Sequence, residues 1–91
     1  MAGKVYIVMG QTGEYSDLNE WPVAAFHSEA KAAERVAELD VWLRVNKFHS
    51  DGQVEWSWSE LERIGKPQFD PNFTCDYTGT NYYLIAVEYA D

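Results

Sequence analysis

Ninety-one residues, 46% of them hydrophobic and 24% charged, make a single folded domain (residues 1–91) and exclude a disordered chain. A net charge of −8 with only seven Lys and Arg excludes a direct grip on a nucleic-acid backbone, which needs clustered cations. The one cysteine, Cys75, excludes an internal disulfide and gives no sign of an oxidising compartment.

A chain of this length buries about 60–65% of its unfolded surface, so its core is modest. Yet 15% of the residues are aromatic, which predicts some large rings on the surface or at an interface. Self-association into a homo-oligomer is one expectation that follows. The acidity has two readings: plain solubility, or occupation of a basic protein surface that normally holds nucleic acid.

In chain order, Val5-Tyr6-Ile7-Val8-Met9 is a β-branched and aromatic run that reads as a central strand buried on both faces. It is too short for a signal peptide or a membrane span, so a cytosolic protein without membrane contact is expected. Residues 10–20 are polar and turn-forming and read as a loop. Trp21 to Phe26 is a second strand, and because Pro22 cannot donate a ladder hydrogen bond this strand should start at, or lie on, a sheet edge.

Ser28 followed by Glu29 starts a helix, with a capping hydroxyl and an acid in the first turn. Ala32, Val36, Leu39 and Leu43 form its apolar stripe, widened by Ala33 and Ala37, while Glu34, Arg35 and Glu38 point away. The helix is predicted to end between Val45 and Phe48. Trp42, Val45 and Phe48 drift off the stripe, toward the following loop or a partner.

Ser50-Asp51-Gly52 is a turn. Residues 53–65 read two ways. Val54, Trp56 and Trp58 alternate as in a strand, whereas Ser57-x-x-Glu60 has the form of a capping box, which favours a short helix ending at Gly65. Residues 66–80, with Pro67 and Pro71, form a long irregular connection, which in a compact domain is either functional or a sign of a misassigned element. Asn81 to Tyr89 is the last strand. The elements predict an α+β fold: a three-stranded antiparallel sheet covered by one long helix, with a short second helix and a long irregular segment before the last strand.

If the last strand flanks the first antiparallel, two polar motifs meet at one end of the sheet. One is Gly10-Gln11-Thr12-Gly13-Glu14-Tyr15-Ser16-Asp17 and the other is Asp76-Tyr77-Thr78-Gly79-Thr80. The helix C-terminus near Phe48 would close one side. A parallel arrangement would separate the motifs.

The candidate binding residues are Gly10, Gly13, Glu14, Tyr15, Ser16, Asp17, Asp76, Tyr77, Thr78 and Thr80. Gly10-x-x-Gly13 lacks the helix and the Lys-Ser or Lys-Thr pair of a phosphate loop. Tyr15 and Tyr77 are suited to stacking on a base, with Ser16, Thr78 and Thr80 bonding to a ribose or phosphate. Glu14, Asp17 and Asp76 would repel a bare phosphate unless they meet ribose hydroxyls or a cation. The competing reading is that these residues only build turns. No catalytic set is visible: His27 and His49 are far apart in the chain and in no metal-ligand spacing, and Cys75 has no neighbouring base. The chain is therefore expected to be no enzyme and to need no cofactor or metal.

Several stretches together resemble a group of small bacteriophage and prophage proteins. These are Val5-Tyr6-Ile7-Val8 running into Gly10-x-x-Gly13-Glu14-Tyr15-Ser16-Asp17, then Trp21, then Ser28-Glu29-Ala30-Lys31-Ala32, then Asp70-Pro71, Asp76-Tyr77-Thr78-Gly79-Thr80 and the closing strand. The resemblance implies origin and not chemistry: a phage accessory protein in the host cytoplasm, binding a host component, with an anti-defence role among the expectations. The mechanisms expected are an acidic surface for a basic host protein, or sequestration of a small nucleotide-like signal at the composite edge.

Overall fold

The computed structural model describes residues 3–89, apart from the side chain of Tyr15. Its elements are β1 (Gly3–Thr12), β2 (Asn19–Phe26), α1 (Glu29–Val45), α2 (Trp58–Ile64) and β3 (Thr80–Tyr89), with a 3-10 turn at Tyr15–Asp17. The sheet order is β2-β1-β3 and both pairings are antiparallel. The α+β architecture is the expected one. Among the described residues no helix is long and apolar enough to cross a membrane.

β1 is longer than its apolar run. Gly10, Gln11 and Thr12 continue the ladder, Thr12 pairing with Asn19 on one side and Thr80 on the other. The loop expected over residues 10–20 thus shrinks to residues 13–18, because flanking strands supply partners to a polar backbone that sequence alone reads as irregular. Pro22 does lie on an edge strand, opposite Met9, where the β1–β2 register shifts between Val8 and Met9.

β1 is central but covered on one face only, which corrects the expectation of burial on both. Val8, Gly10 and Thr12 are buried, whereas Val5, Ile7, Met9 and Gln11 are half-buried on the other face. The reason is a shortage of chain: one long helix covers one face of a sheet, and the short α2 does not reach the second. Ile85, Val87 and Tyr89 share that open face and are 40%, 43% and 48% exposed.

The Ser28 hydroxyl caps α1 by accepting the Lys31 N–H at 3.2 Å. Ala32, Leu39 and Leu43 are buried against the sheet, with Val36 beside them. Ala33 and Ala37 are exposed, so they do not widen the stripe; each lies about 100° around the helix from its stripe neighbour. Arg35 does not simply point away either. Its guanidinium lies over the Phe69 ring, 3.8 Å from the centroid, with Phe26 at 5.4 Å.

The helix stops at Val45, and Lys47 reverses the chain with φ 60°. Phe48 is fully buried and joins Trp42 and Phe73, whose rings are 5.0 Å apart, in an aromatic cluster beneath residues 66–79. Trp42 and Phe48 therefore serve the following segment, while Val45 stays 74% exposed. Half of the expected capping box forms: Ser57 Oγ accepts the Glu60 N–H at 3.1 Å, while the Glu60 carboxylate accepts from Arg63, and α2 ends at Gly65 with φ 81°.

Candidate functional site

The antiparallel pairing of β1 with β3 brings the two polar motifs together. Thr12 sits at the end of β1 and donates its hydroxyl proton to the Gly79 carbonyl at 2.7 Å. The same oxygen accepts the Asp76 N–H at 3.1 Å. Gly13 donates its N–H to Thr78 Oγ1 at 3.2 Å. Asp76 folds its own turn: Oδ1 accepts the Thr78 N–H at 2.8 Å and the Thr78 hydroxyl, and its carbonyl accepts the Gly79 N–H at 3.0 Å.

This interlock uses up much of the chemistry the motifs carry. Thr12, Thr78 and Thr80 each commit their only hydroxyl proton inside the protein, Thr80 to the Thr74 carbonyl at 2.8 Å. Gly10 is buried in β1, where a Cβ would stand 2.5 Å from the Trp21 ring. Gly13, with φ 91°, turns the chain where a Cβ would run into the Asp17 carbonyl. What faces outward is Glu14, Ser16, Asp17 and Tyr77, the last 70% exposed. The Tyr15 side chain lies outside the described residues; its backbone opens the 3-10 turn.

Phe48 closes the same end of the sheet, as the course of the helix predicts. Its carbonyl accepts the Thr80 N–H at 2.7 Å, and the Ser50 N–H donates to the Thr80 carbonyl at 3.0 Å. Thr80 is fully buried in consequence.

Two polar centres escape the sequence reading. The first is Asp70, 0% exposed, in the long irregular segment. One of its oxygens accepts both the Trp21 indole N–H at 2.9 Å and the Tyr82 hydroxyl at 2.6 Å; the other accepts the Asn72 N–H at 3.1 Å. Burial, reinforced by the adjoining carboxylate, pushes the Tyr82 hydroxyl far above the ordinary tyrosine range, so it stays a donor. The only local signal is Asp70-Pro71-Asn72, a turn-forming triplet that does not announce its distant donors.

The second centre joins α1 to the turn after it. His49 Nδ1 accepts the Asp51 N–H at 3.0 Å, which leaves the ring proton on Nε2, facing Asp40 Oδ1 at 2.6 Å. Arg44 donates Nε–H to the other Asp40 oxygen at 2.9 Å. Arg44, Lys47, His49, Gly52 and Gln53 line an open cavity of about 270 Å³. An Asp–His pair suggests base catalysis, but both ring nitrogens are occupied and neither can take a substrate proton without breaking a contact. Cys75, only 3% exposed, is a poor nucleophile because burial raises its thiol above the ordinary value. Among the described residues no group of three or more His, Cys, Asp or Glu is placed to hold a metal ion.

The class these features define is a small acidic α+β domain, with a polar interlock at one end of the sheet and an uncovered sheet face. Set against protein-family models, curated proteins and solved structures, the chain matches none of them.

Proposed function

We propose that this chain is a non-enzymatic phage accessory protein that binds a host protein through an acidic surface in the host cytoplasm, with inhibition of a host defence component as its role. The observation that carries the reading is the outward stripe of α1. Glu34, Glu38, Val41 and Val45 recur at helical spacing on the solvent side, Val41 being 60% and Val45 74% exposed. Among the described residues no cation lies within ion-pair distance of Glu34 or Glu38. Free carboxylates beside exposed valines suit a basic surface with apolar patches, where charge steers approach and apolar contact slows release.

The test compares tagged wild-type protein with the double variant Glu34→Lys, Glu38→Lys, each purified from host cells. The expected outcome is a captured host protein that is released by salt and lost from the variant. An identical captured set from both proteins defeats the reading.

A second reading is the capture of a small nucleotide-like signal at the composite edge, and the exposed Tyr77 ring favours it. It requires a rise in melting temperature with at least one nucleotide, abolished by Tyr77→Ala. A flat response across a nucleotide panel removes it.

A further inference from the structure

β3 is an edge strand whose outer side is closed only at its start. Thr80 directs both its N–H and its carbonyl outward, to Phe48 and Ser50. Strand alternation then aims the main-chain groups of Tyr82, Leu84, Ala86 and Glu88 outward as well, while Asn81, Tyr83, Ile85, Val87 and Tyr89 bond to β1. Among the described residues no hydrogen bond reaches those outward groups. The other edge, β2, is blunted by Pro22 and by its register shift. β3 has no proline and no bulge, and its outer half carries one charge, Glu88. An edge this long and apolar is a template for another strand.

We propose that the occupant is β3 of a second copy, paired antiparallel about a two-fold axis through Ile85. The charge pattern and the register select this partner. Centring on Ile85 sets Tyr82 opposite the second copy's Glu88 and Leu84 opposite its Ala86, so all four outward residues are satisfied by about eight main-chain hydrogen bonds. The single acid meets a tyrosine and not its own copy, so the pairing brings no like charges together. It ends where the Phe48–Ser50 cap begins, since the next position would meet Thr80.

The open face gains from the same axis. Ile7 pairs with Ile85, and Ile85 meets its own copy across the axis, giving an unbroken row of four isoleucines. The rows beside it run Met9, Tyr83, then Val87 and Val5 of the second copy. Aromatic and β-branched cross-strand pairs of this kind stabilise a sheet. The result is a continuous six-stranded sheet with both α1 helices on one side and a doubled apolar face on the other. The paired edge is about 24 Å long and the sheet with its side chains about 10 Å thick, so the contact of about 240 Å² per protomer is below the size of stable interfaces and main-chain hydrogen bonds carry most of it. The dimer is therefore weak and concentration-dependent, with dissociation on the order of 100 μM.

The test is light-scattering mass against concentration, from about 10 μM to about 500 μM. Wild-type protein should rise from the 10.5 kDa monomer toward twice that mass. Ala86→Pro removes an outward N–H that β1 does not use, and should weaken the dimer at least tenfold while leaving the circular dichroism unchanged. If that variant misfolds, Ile85→Lys, at a position 40% exposed, carries the same test by placing two cations at the axis. Ile85→Cys should form a disulfide-linked dimer under mild oxidation, and Tyr83→Cys should not, because the axis holds only residue 85 within bonding reach of its copy. The buried Cys75 keeps the wild-type background low. A constant monomer mass overturns the proposal, as does a dimer that folded Ala86→Pro leaves intact or equal crosslinking of the two cysteine variants.

Discussion

The Tyr82 hydroxyl lies 2.6 Å from a carboxylate oxygen of Asp70, which has no exposed surface at all. Tyr82 comes from the last strand and Asp70 from the irregular segment before it. A third partner, Trp21 of β2, donates to the same oxygen. One buried acid thus ties an irregular segment to two strands on the helix-covered face of the sheet, and does so with neutral donors in place of a cation.

Replacing that acid should therefore be costly. Asp70→Asn keeps the volume but leaves a single acceptor oxygen, so either its NH2 group faces the Asn72 N–H or, turned round, it faces both the Trp21 and Tyr82 donors. The expected loss is about 2–4 kcal/mol of unfolding free energy. Tyr82→Phe should cost less, about 1–2 kcal/mol, because the Trp21 and Asn72 bonds survive. Urea unfolding followed by tryptophan fluorescence measures both. Equal stability of Asp70→Asn and wild type would show that the carboxylate does not anchor the segment.

Stability should also fall at alkaline pH. Tyr82 and Cys75 both have their proton affinity raised in the folded state, mainly by burial. Their contribution is complete below the ordinary values of 9.0 for the thiol and 10.0 for the phenol, and is lost as pH rises past them toward the folded values. Melting temperatures measured from about pH 8 to about pH 11 should decline, and more shallowly in Tyr82→Phe than in wild type. Parallel declines would exclude Tyr82 as a source.

Gly10 is a packing position and not a hinge. A methyl group there would sit 2.5 Å from two carbons of the Trp21 ring, and Trp21 is held in place by Asp70. Gly10→Ala should cost about 1–3 kcal/mol through overpacking. The indole must tilt away from its carboxylate, so the fluorescence maximum should shift as well. A variant with unchanged stability and spectrum would mean that the ring can move freely.

Thr12 makes a local prediction. Its oxygen bridges the Gly79 carbonyl and the Asp76 N–H, so Thr12→Val removes both bonds at nearly constant shape. The expected cost is about 1–3 kcal/mol. Hydrogen exchange should speed up at the Asp76 and Gly13 amides, which the interlock holds, and leave α2 unaffected. Uniform acceleration along the chain would point to global destabilisation in place of a local interlock.

The elements themselves were legible in the residues. β-branched runs mark β1 and β3, the Ser28 and Ser57 caps mark both helix starts, and Pro22 marks an edge. These signals are local: propensity, capping and hydrogen-bonding capacity act over a few neighbouring residues. The meeting of residues 10–17 with 76–80 was legible too, because it needs only the sense of one strand pairing.

What each polar side chain does at that meeting was decided by tertiary structure. A threonine hydroxyl looks the same in sequence whether it faces a ligand or a carbonyl, and Thr12, Thr78 and Thr80 face their own chain. Asp70 looks like a solvated acid until Trp21 and Tyr82, at separations of 49 and 12 residues, converge on it. The open sheet face follows from counting layers and not residues: one long helix can cover one face, and Ile7 carries no mark of which face that is. Chain-local physics determined the elements and their pairing sense, while burial and hydrogen-bond partners, which depend on residues distant in sequence, were settled only by the fold.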